Sequence, residues 1–239
     1  MRFVGYAVLT VTVTASLSLG GCGPSIWLRP SPGIEEGKET AASPLPEEMA
    51  LPEPRLKGVL SLEETLARRR SLRSFTEEEL TLEEISQLLW AAQGLTAAWG
   101  GRTAPSAGAL YPLEVYVATA NGLYHYVPQG HKVIVVSQAD LRRKLWEVAL
   151  EQDVIRDAPA VFVIAAVYER TTKKYGGRAE RYVKLEAGHA CQNILLQAVA
   201  LDLGAVPIGA FYDDQVQAAL SLPPDHEPLY LIPVGHPQK

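Results

Sequence analysis

The chain has 239 residues, 47% of them hydrophobic and 21% charged, with a formal net charge of −5. That length and apolar content suit one domain with a sizeable core. The acidic balance excludes a general nucleic-acid binder, whose phosphate contacts need a basic face, so any anion site must be local. Two cysteines (Cys22 and Cys191) and five scattered histidines supply no metal-ligand spacing.

In chain order, residues 1–22 form a targeting segment. Arg2 precedes the apolar run FVGYAVLTVTVTASLSL, which is at the short end of what spans a bilayer, and small residues follow it. Leu19-Gly20-Gly21-Cys22 resembles the lipobox of bacterial lipoproteins. This implies cleavage before Cys22, lipidation of its thiol and an anchor in the cell envelope, outside the cytoplasm. A spanning anchor is the alternative. Residues 23–56 hold seven prolines and six glutamates with few large apolar side chains, a composition expected to stay extended as a tether. The folded domain is expected to run from 57 to 239.

Ser61-Leu62-Glu63-Glu64 and Thr81-Leu82-Glu83-Glu84 are capping boxes, each opening a helix. The first helix is short and runs into RRRSLRSF (68–75). The second carries Leu82, Ile85, Leu88, Leu89 and Ala92 on one stripe and stops at Gly94. GLTAAWGGRTAPSAGALYP (94–112) is a loop of a length usually functional in compact domains. LEVYVAT (113–119), Asn121-Gly122 and LYHYV describe a hairpin, and KVIVVS a further strand. Ser137 and Asp140 cap a helix through LRRKLWEVALEQ. APAVFVIAAVY (158–168) is a buried strand, and a long helix spans about 178 to 203 with Gly204 as its stop. VPIGAF, a short helix near 213–220 and PLYLIPV complete the chain. The irregular alternation with a hairpin predicts an α+β fold.

Four arginines in RRRSLRSF admit two readings. They complement the end of the preceding helix, or they cradle a phosphate. In extended chain Arg69, Ser71 and Arg73 point to one side, two guanidinium forks and a hydroxyl, while Arg70 points the other way. Neither a P-loop nor a Rossmann fingerprint is present, which leaves a monophosphate ligand. Ser106, Ala107 and Gly108 allow backbone to approach a flat ring system, though a plain flexible loop has the same composition. Gly209 in VPIGAF offers a backbone N–H to a ring nitrogen. Lys174 and Tyr175 in KKYGGR are a candidate proton-transfer pair or a polar turn before a helix. Arg181 and Tyr182 are alternatives to them, and His189 is a hydrogen-bonded core histidine or a proton carrier. Cys191 is a small buried side chain.

In this order, RRSLRSF, PSAGALYPLEVYV, RYVKLEAGHACQN, VPIGAFYDD and LIPVGHP resemble the nitroreductase-like flavoproteins. The likeness is closer still to their SagB-type branch, whose members include dehydrogenases that oxidise azolines to azoles. The resemblance implies FMN at a homodimer interface and a central, mostly antiparallel sheet flanked by helices. It assigns Arg69, Arg70, Ser71 and Arg73 to the phosphate and ring edge. Ser106, Ala107 and Gly108 are assigned to the partner's flavin, and Pro207, Ile208 and Gly209 to the central ring. Lys174-Tyr175 corresponds to the catalytic pair of the azoline dehydrogenases. The implied activity is FMN-dependent oxidoreduction, hydride moving between flavin and a small organic or peptide-derived substrate, with NAD(P)H as electron donor left open. A non-catalytic flavin-binding module or partner subunit is the alternative. Ala109 stands where many nitroreductases carry asparagine, and only Lys239 is available for the basic C-terminal contact many of them make.

Overall fold

The computed structural model describes residues 47–238; the expected targeting segment, Cys22 and most of the expected tether lie outside these residues, as does Lys239. Seven strands build one sheet: β1 Glu48–Ala50, β2 Leu113–Thr119, β3 Gly122–Val127, β4 Lys132–Ser137, β5 Ala160–Ala166, β6 Gly204–Ala205 and β7 Glu227–Gly235. Their order is β1-β4-β3-β2-β5-β7-β6, and every neighbouring pair is antiparallel. At the β2–β3 turn Gly122 has φ 144°, and a Cβ there would lie 2.2 Å from the Ser137 carbonyl oxygen, so the turn requires glycine.

Seven α-helices cover the sheet: α1 Leu62–Arg68, α2 Leu82–Gln93, α3 Arg142–Val148, α4 Asp153–Asp157, α5 Tyr168–Tyr175, α6 Ala179–Ala200 and α7 Asp213–Ala219. Alternation along β5 sends Phe162 and Ile164 to one face, packed with Leu88 and Leu89 of α2 and Val183, Ala187, Ala190 and Ile194 of α6. Val161 and Val163 go to the other face with Leu145 of α3, Ile155 of α4 and Val216 of α7. The expected α+β architecture is therefore present, with β5 buried on both sides of the sheet. Cys191 packs inside the first core, where burial pushes its thiol up to about 12. Among the described residues no helix is long and apolar enough to cross a membrane.

Both capping boxes close as the sequence predicts: Glu64 and Glu84 N–H donate to Ser61 and Thr81 hydroxyls, and each glutamate reaches back to the cap N–H. Elsewhere the boundaries differ. The third helix starts at Arg142, with the Asp140 carboxylate rather than Ser137 accepting its N–H. KKYGGR, offered above as a turn, ends α5, an eight-residue helix packed on α6.

Residues 48–56, expected in the tether, belong to the domain. Here β1 pairs with the β4 edge, Leu51 is buried, and Leu51 N–H donates to His131 O at 3.0 Å. Arg55 exchanges backbone hydrogen bonds with the buried Gln87 amide (2.8 and 3.1 Å). Ser86 donates to Pro52 O at 2.6 Å and lies 2.7 Å from His131 Nε2, whose Nδ1 meets Tyr126 OH at 2.9 Å. Ser86 is only 1% exposed, so this serine–histidine–tyrosine chain ties down the strap and meets no substrate. Burial holds His131 below the usual imidazole range. A depressed folded value means stability present above the ordinary histidine range and lost as pH falls through the folded one. The protection of the Leu51 and Val135 amides against hydrogen exchange is accordingly expected to fall below about pH 6, the ordinary imidazole range being near 6.5. Protection that stays flat between pH 7 and pH 5, after correction for intrinsic rates, contradicts this.

Candidate functional site

RRRSLRSF divides its four arginines by direction. The segment leaves α1 as extended chain beside β6, with Ser71 bridged to Ala205 and Leu72 N–H donating to Ala205 O at 3.1 Å. Arg68 pairs with Glu64 at 3.2 Å, and Arg70 turns back onto Ala67 O (3.1 Å) and Arg69 O (2.7 Å). These two complement the end of α1, and with Leu72 they face Leu195 and Val199 of α6. Arg70, expected with its neighbours in the phosphate- and ring-edge-binding segment, here points away from Ser71 and bonds to local carbonyls. Arg69 and Arg73, alternate in extended chain with Ser71, have no carboxylate within 4.0 Å among the described residues. Nor does the Ser71 hydroxyl bond to any of them.

The chain then continues from β6 into Pro207, Ile208 and Gly209. Ile208 exchanges hydrogen bonds with Leu231 of β7 (2.8 and 3.0 Å), which fixes this stretch against the sheet. Gly209 is exposed, a Cβ on it would meet nothing within 4 Å, and its N–H donates to no described group. Two unpaired guanidiniums, a hydroxyl and a free backbone N–H beside open space are the donor set that a phosphorylated, ring-bearing ligand such as FMN requires. The residues present fit that group.

Ser106, Ala107 and Gly108 lie elsewhere, at the other end of α6. Gly108, Ala109 and Tyr111 have φ of 64°, 55° and 47°, three left-handed residues in four. Such strain persists only where surroundings hold it, and here the holders are explicit. Ser106 Oγ accepts from Tyr111 N–H at 2.9 Å, and the Glu186 carboxylate accepts from Ala107 N–H at 2.7 Å. A Cβ on Gly108 would fall 2.7 Å from Lys174 Nζ and 2.8 Å from Tyr175 OH, so both candidate proton carriers converge on this loop. Tyr182 sets its ring edge-on to Tyr175 at 5.0 Å.

Arg181 is exposed. His189 is exposed too, on the outer face of α6, and is not the core histidine offered above. Nine to thirteen residues of α6, from Glu186 to Leu195 and Val199 at about 1.5 Å each, put roughly 14–20 Å between the strained loop and the arginine segment. No hydrogen bond or ion pair joins these two groups among the described residues.

Glu186 was missed in the sequence. It is 5% exposed in a helix whose buried stripe includes Val183, Ala187 and Ala190. An acid at a stripe position was the available signal. Burial pushes its carboxyl above the usual range against the opposing pull of Ala107 N–H, Ser106 and His189. A carboxyl raised on folding contributes stability that is present below the unfolded value and lost as pH rises through the folded one. Glu186→Gln keeps an acceptor for Ala107 N–H and removes the ionisation. Its gain over wild type in urea unfolding should therefore grow from pH 4 to pH 8. A gain independent of pH removes the buried-ionisation account.

An antiparallel sheet between two helical layers defines an α+β protein, with a donor-rich segment toward one end of the longest helix and a strained loop toward the other. Residues 66–236 match the nitroreductase family. A provisionally named nitroreductase of Methanocaldococcus jannaschii is 44% identical over 182 residues, 74% of this chain and 91% of that one. A provisionally named nitroreductase of Ralstonia eutropha JMP134 superposes with a TM-score of 0.74 at 33% identity, covering 83% of this chain and 97% of that one. Another, from Desulfovibrio desulfuricans and solved in complex with FMN, gives 0.57 at 25% identity over 74% of this chain and 87% of that one. The chain belongs to the nitroreductase family.

Proposed function

We propose that this domain is an FMN-dependent oxidoreductase that works as a homodimer. The observation that carries the reading is the separation of two complementary half-sites by the length of α6. A twofold axis across an antiparallel α6 pair would bring the loop of one protomer to the arginine segment of its partner. The outer face of α6 suits that pairing: Leu185 is 53% exposed, and the space over Gly188 is open. Membership of a family in which a relative is solved with FMN supports the choice of flavin.

In this reading Arg69, Ser71 and Arg73 would hold the phosphate, and Gly209 would offer its N–H to the ring system. Ser106, Ala107 and Gly108 of the partner subunit would complete the ring's binding site. Bound FMN supplies hydride chemistry, which the protein orients. Lys174 Nζ and Tyr175 OH hold and move the proton at the substrate, beside the Gly108 loop on which both converge. The sequence pattern PSAG-xx-YP with Lys174-Tyr175 supports reading the chain as a SagB-type member acting on a small organic or peptide-derived substrate. NAD(P)H or the substrate itself then serves as electron source. The lipobox pattern at Leu19–Cys22 adds an anchor holding the domain outside the cytoplasm, where nicotinamide cofactors are scarce and a substrate-oxidising direction is favoured.

The test is the absorbance spectrum of the purified full chain, with released cofactor identified by mass. A two-band flavin spectrum and the mass of FMN are expected. A colourless protein that also takes up no added FMN would sink the reading. The anchor is checked separately, by whether the mature chain starts at an acylated Cys22.

A further inference from the structure

We propose that a second pocket, at the rim of the sheet, binds a small organic monocarboxylate through Arg102. The pocket has a volume of about 260 Å³ and opens where β2 begins and β3 ends, roofed by Arg102 from the long loop and Arg170 from α5. None of its lining residues belongs to either half-site described above.

The charge balance in this pocket is incomplete. Glu114 ion-pairs with Arg170, and its other carboxylate oxygen lies 2.7 Å from His125 Nε2, a bond the neutral imidazole can donate. These attractions hold the Glu114 carboxyl below its usual range despite burial. Arg102 is left over: it has no carboxylate within 4.0 Å among the described residues. Its guanidinium lies over the Tyr111 ring at 4.5 Å, and Nη1 donates to Gln93 Oε1 at 3.0 Å. Its Nε is buried and donates to nothing, and Nη2 has no partner among the described residues either.

A guanidinium stays charged at any working pH, so a half-buried one that shares its one nearby carboxylate, Glu114, with Arg170 is costly until an anion arrives. The unused Nη2 can donate to a carboxylate, and a small rearrangement that uncovers the buried Nε beside it would complete two parallel hydrogen bonds. Two guanidiniums against one carboxylate leave a single positive charge, which matches a monoanion; Glu114 would repel the second charge of a phosphate. Leu113, Val127 and Pro128 offer apolar wall to a hydrocarbon or aromatic body. Occupancy would press on Tyr111, whose carbonyl accepts from Arg170 at 3.1 Å and whose N–H is held by Ser106.

Benzoate is the probe, added to the FMN-loaded full chain at fixed ionic strength. Calorimetry is expected to show saturable binding of one benzoate per chain with the flavin spectrum retained. The Arg102 Nε–H resonance in ¹⁵N-arginine-labelled protein should move downfield along the same isotherm. Arg102→Gln should weaken binding at least tenfold, and Glu114→Gln should tighten it. Inorganic phosphate at equal concentration should leave the Nε–H resonance unmoved. Unsaturable binding, equal affinity in Arg102→Gln, or displacement of flavin by benzoate overturns the proposal; an equal shift with phosphate overturns its carboxylate preference. Where Arg102→Gln does not fold, the Nε–H titration of the wild-type protein decides alone.

Discussion

Replacing Arg69 and Arg73 together with alanine should strip the flavin from the purified protein while leaving the fold intact. A hydrogen bond to a charged group is worth roughly 1.5–3 kcal/mol, so two lost guanidiniums should weaken FMN affinity by at least about 100-fold. Stability should change little, because neither side chain makes an ion pair among the described residues and both lie outside the core. Arg70→Ala is the matched control. Its guanidinium serves the Ala67 and Arg69 carbonyls, so it should cost a few tenths of a kcal/mol of helix-end stability and less than threefold in affinity. Fluorescence titration of apoprotein with FMN distinguishes the two. Equal losses from Arg70→Ala and the double variant would mean that the segment acts through its total charge, and the division by direction would fail.

The second large effect concerns chemistry with the cofactor retained. Lys174→Met combined with Tyr175→Phe should lower turnover on the order of 10²–10⁴-fold, the range for losing a positioned proton carrier, and leave FMN content unchanged. Turnover can be followed with NADPH and a nitroarene, or with a peptide azoline as hydride donor and dioxygen as acceptor. The convergence of Nζ and OH on Gly108 also predicts that Gly108→Ala disturbs the same step. The new methyl meets both groups at under 3 Å in a backbone conformation that already disfavours a side chain. Loss of flavin in the double variant would reassign the pair to binding. Full turnover with flavin in place would favour a module that holds FMN without acting through these residues.

Local rules accounted for much of the fold. The two capping boxes and the Val/Ile/Phe run of β5 each have one strong physical solution, and each is found; the hairpin is found too, with Ala120-Asn121 as its loop and Gly122 opening β3. What escaped lacked a local signature. β1 sits among prolines and glutamates whose side chains remain outside, and its pairing depends on the distant β4 edge and on Ser86 and His131. α5, YERTTKKY, has no side-chain cap and only Thr171 buried, so its helicity comes from packing against α6. The shared direction of Arg69, Ser71 and Arg73 was legible because alternation in extended chain is local geometry. Glu186 was not, since its partner, Ala107 N–H, lies 79 residues away in sequence and nothing near either residue points to the other. The same holds for Arg102, whose significance comes from the carboxylate it lacks.

The length of α6 has a genetic consequence. If each complete site draws its arginines from one chain and its loop from another, two chains inactive for different reasons can repair each other. Coexpressing Arg69→Ala/Arg73→Ala with Lys174→Met would yield mixed dimers in which one site collects both lesions and the other none. Activity would return to half the wild-type value per mixed dimer, from two parents that have almost none. Interallelic rescue of that kind would also make dominance in such a pair depend on which end of the helix carries each lesion.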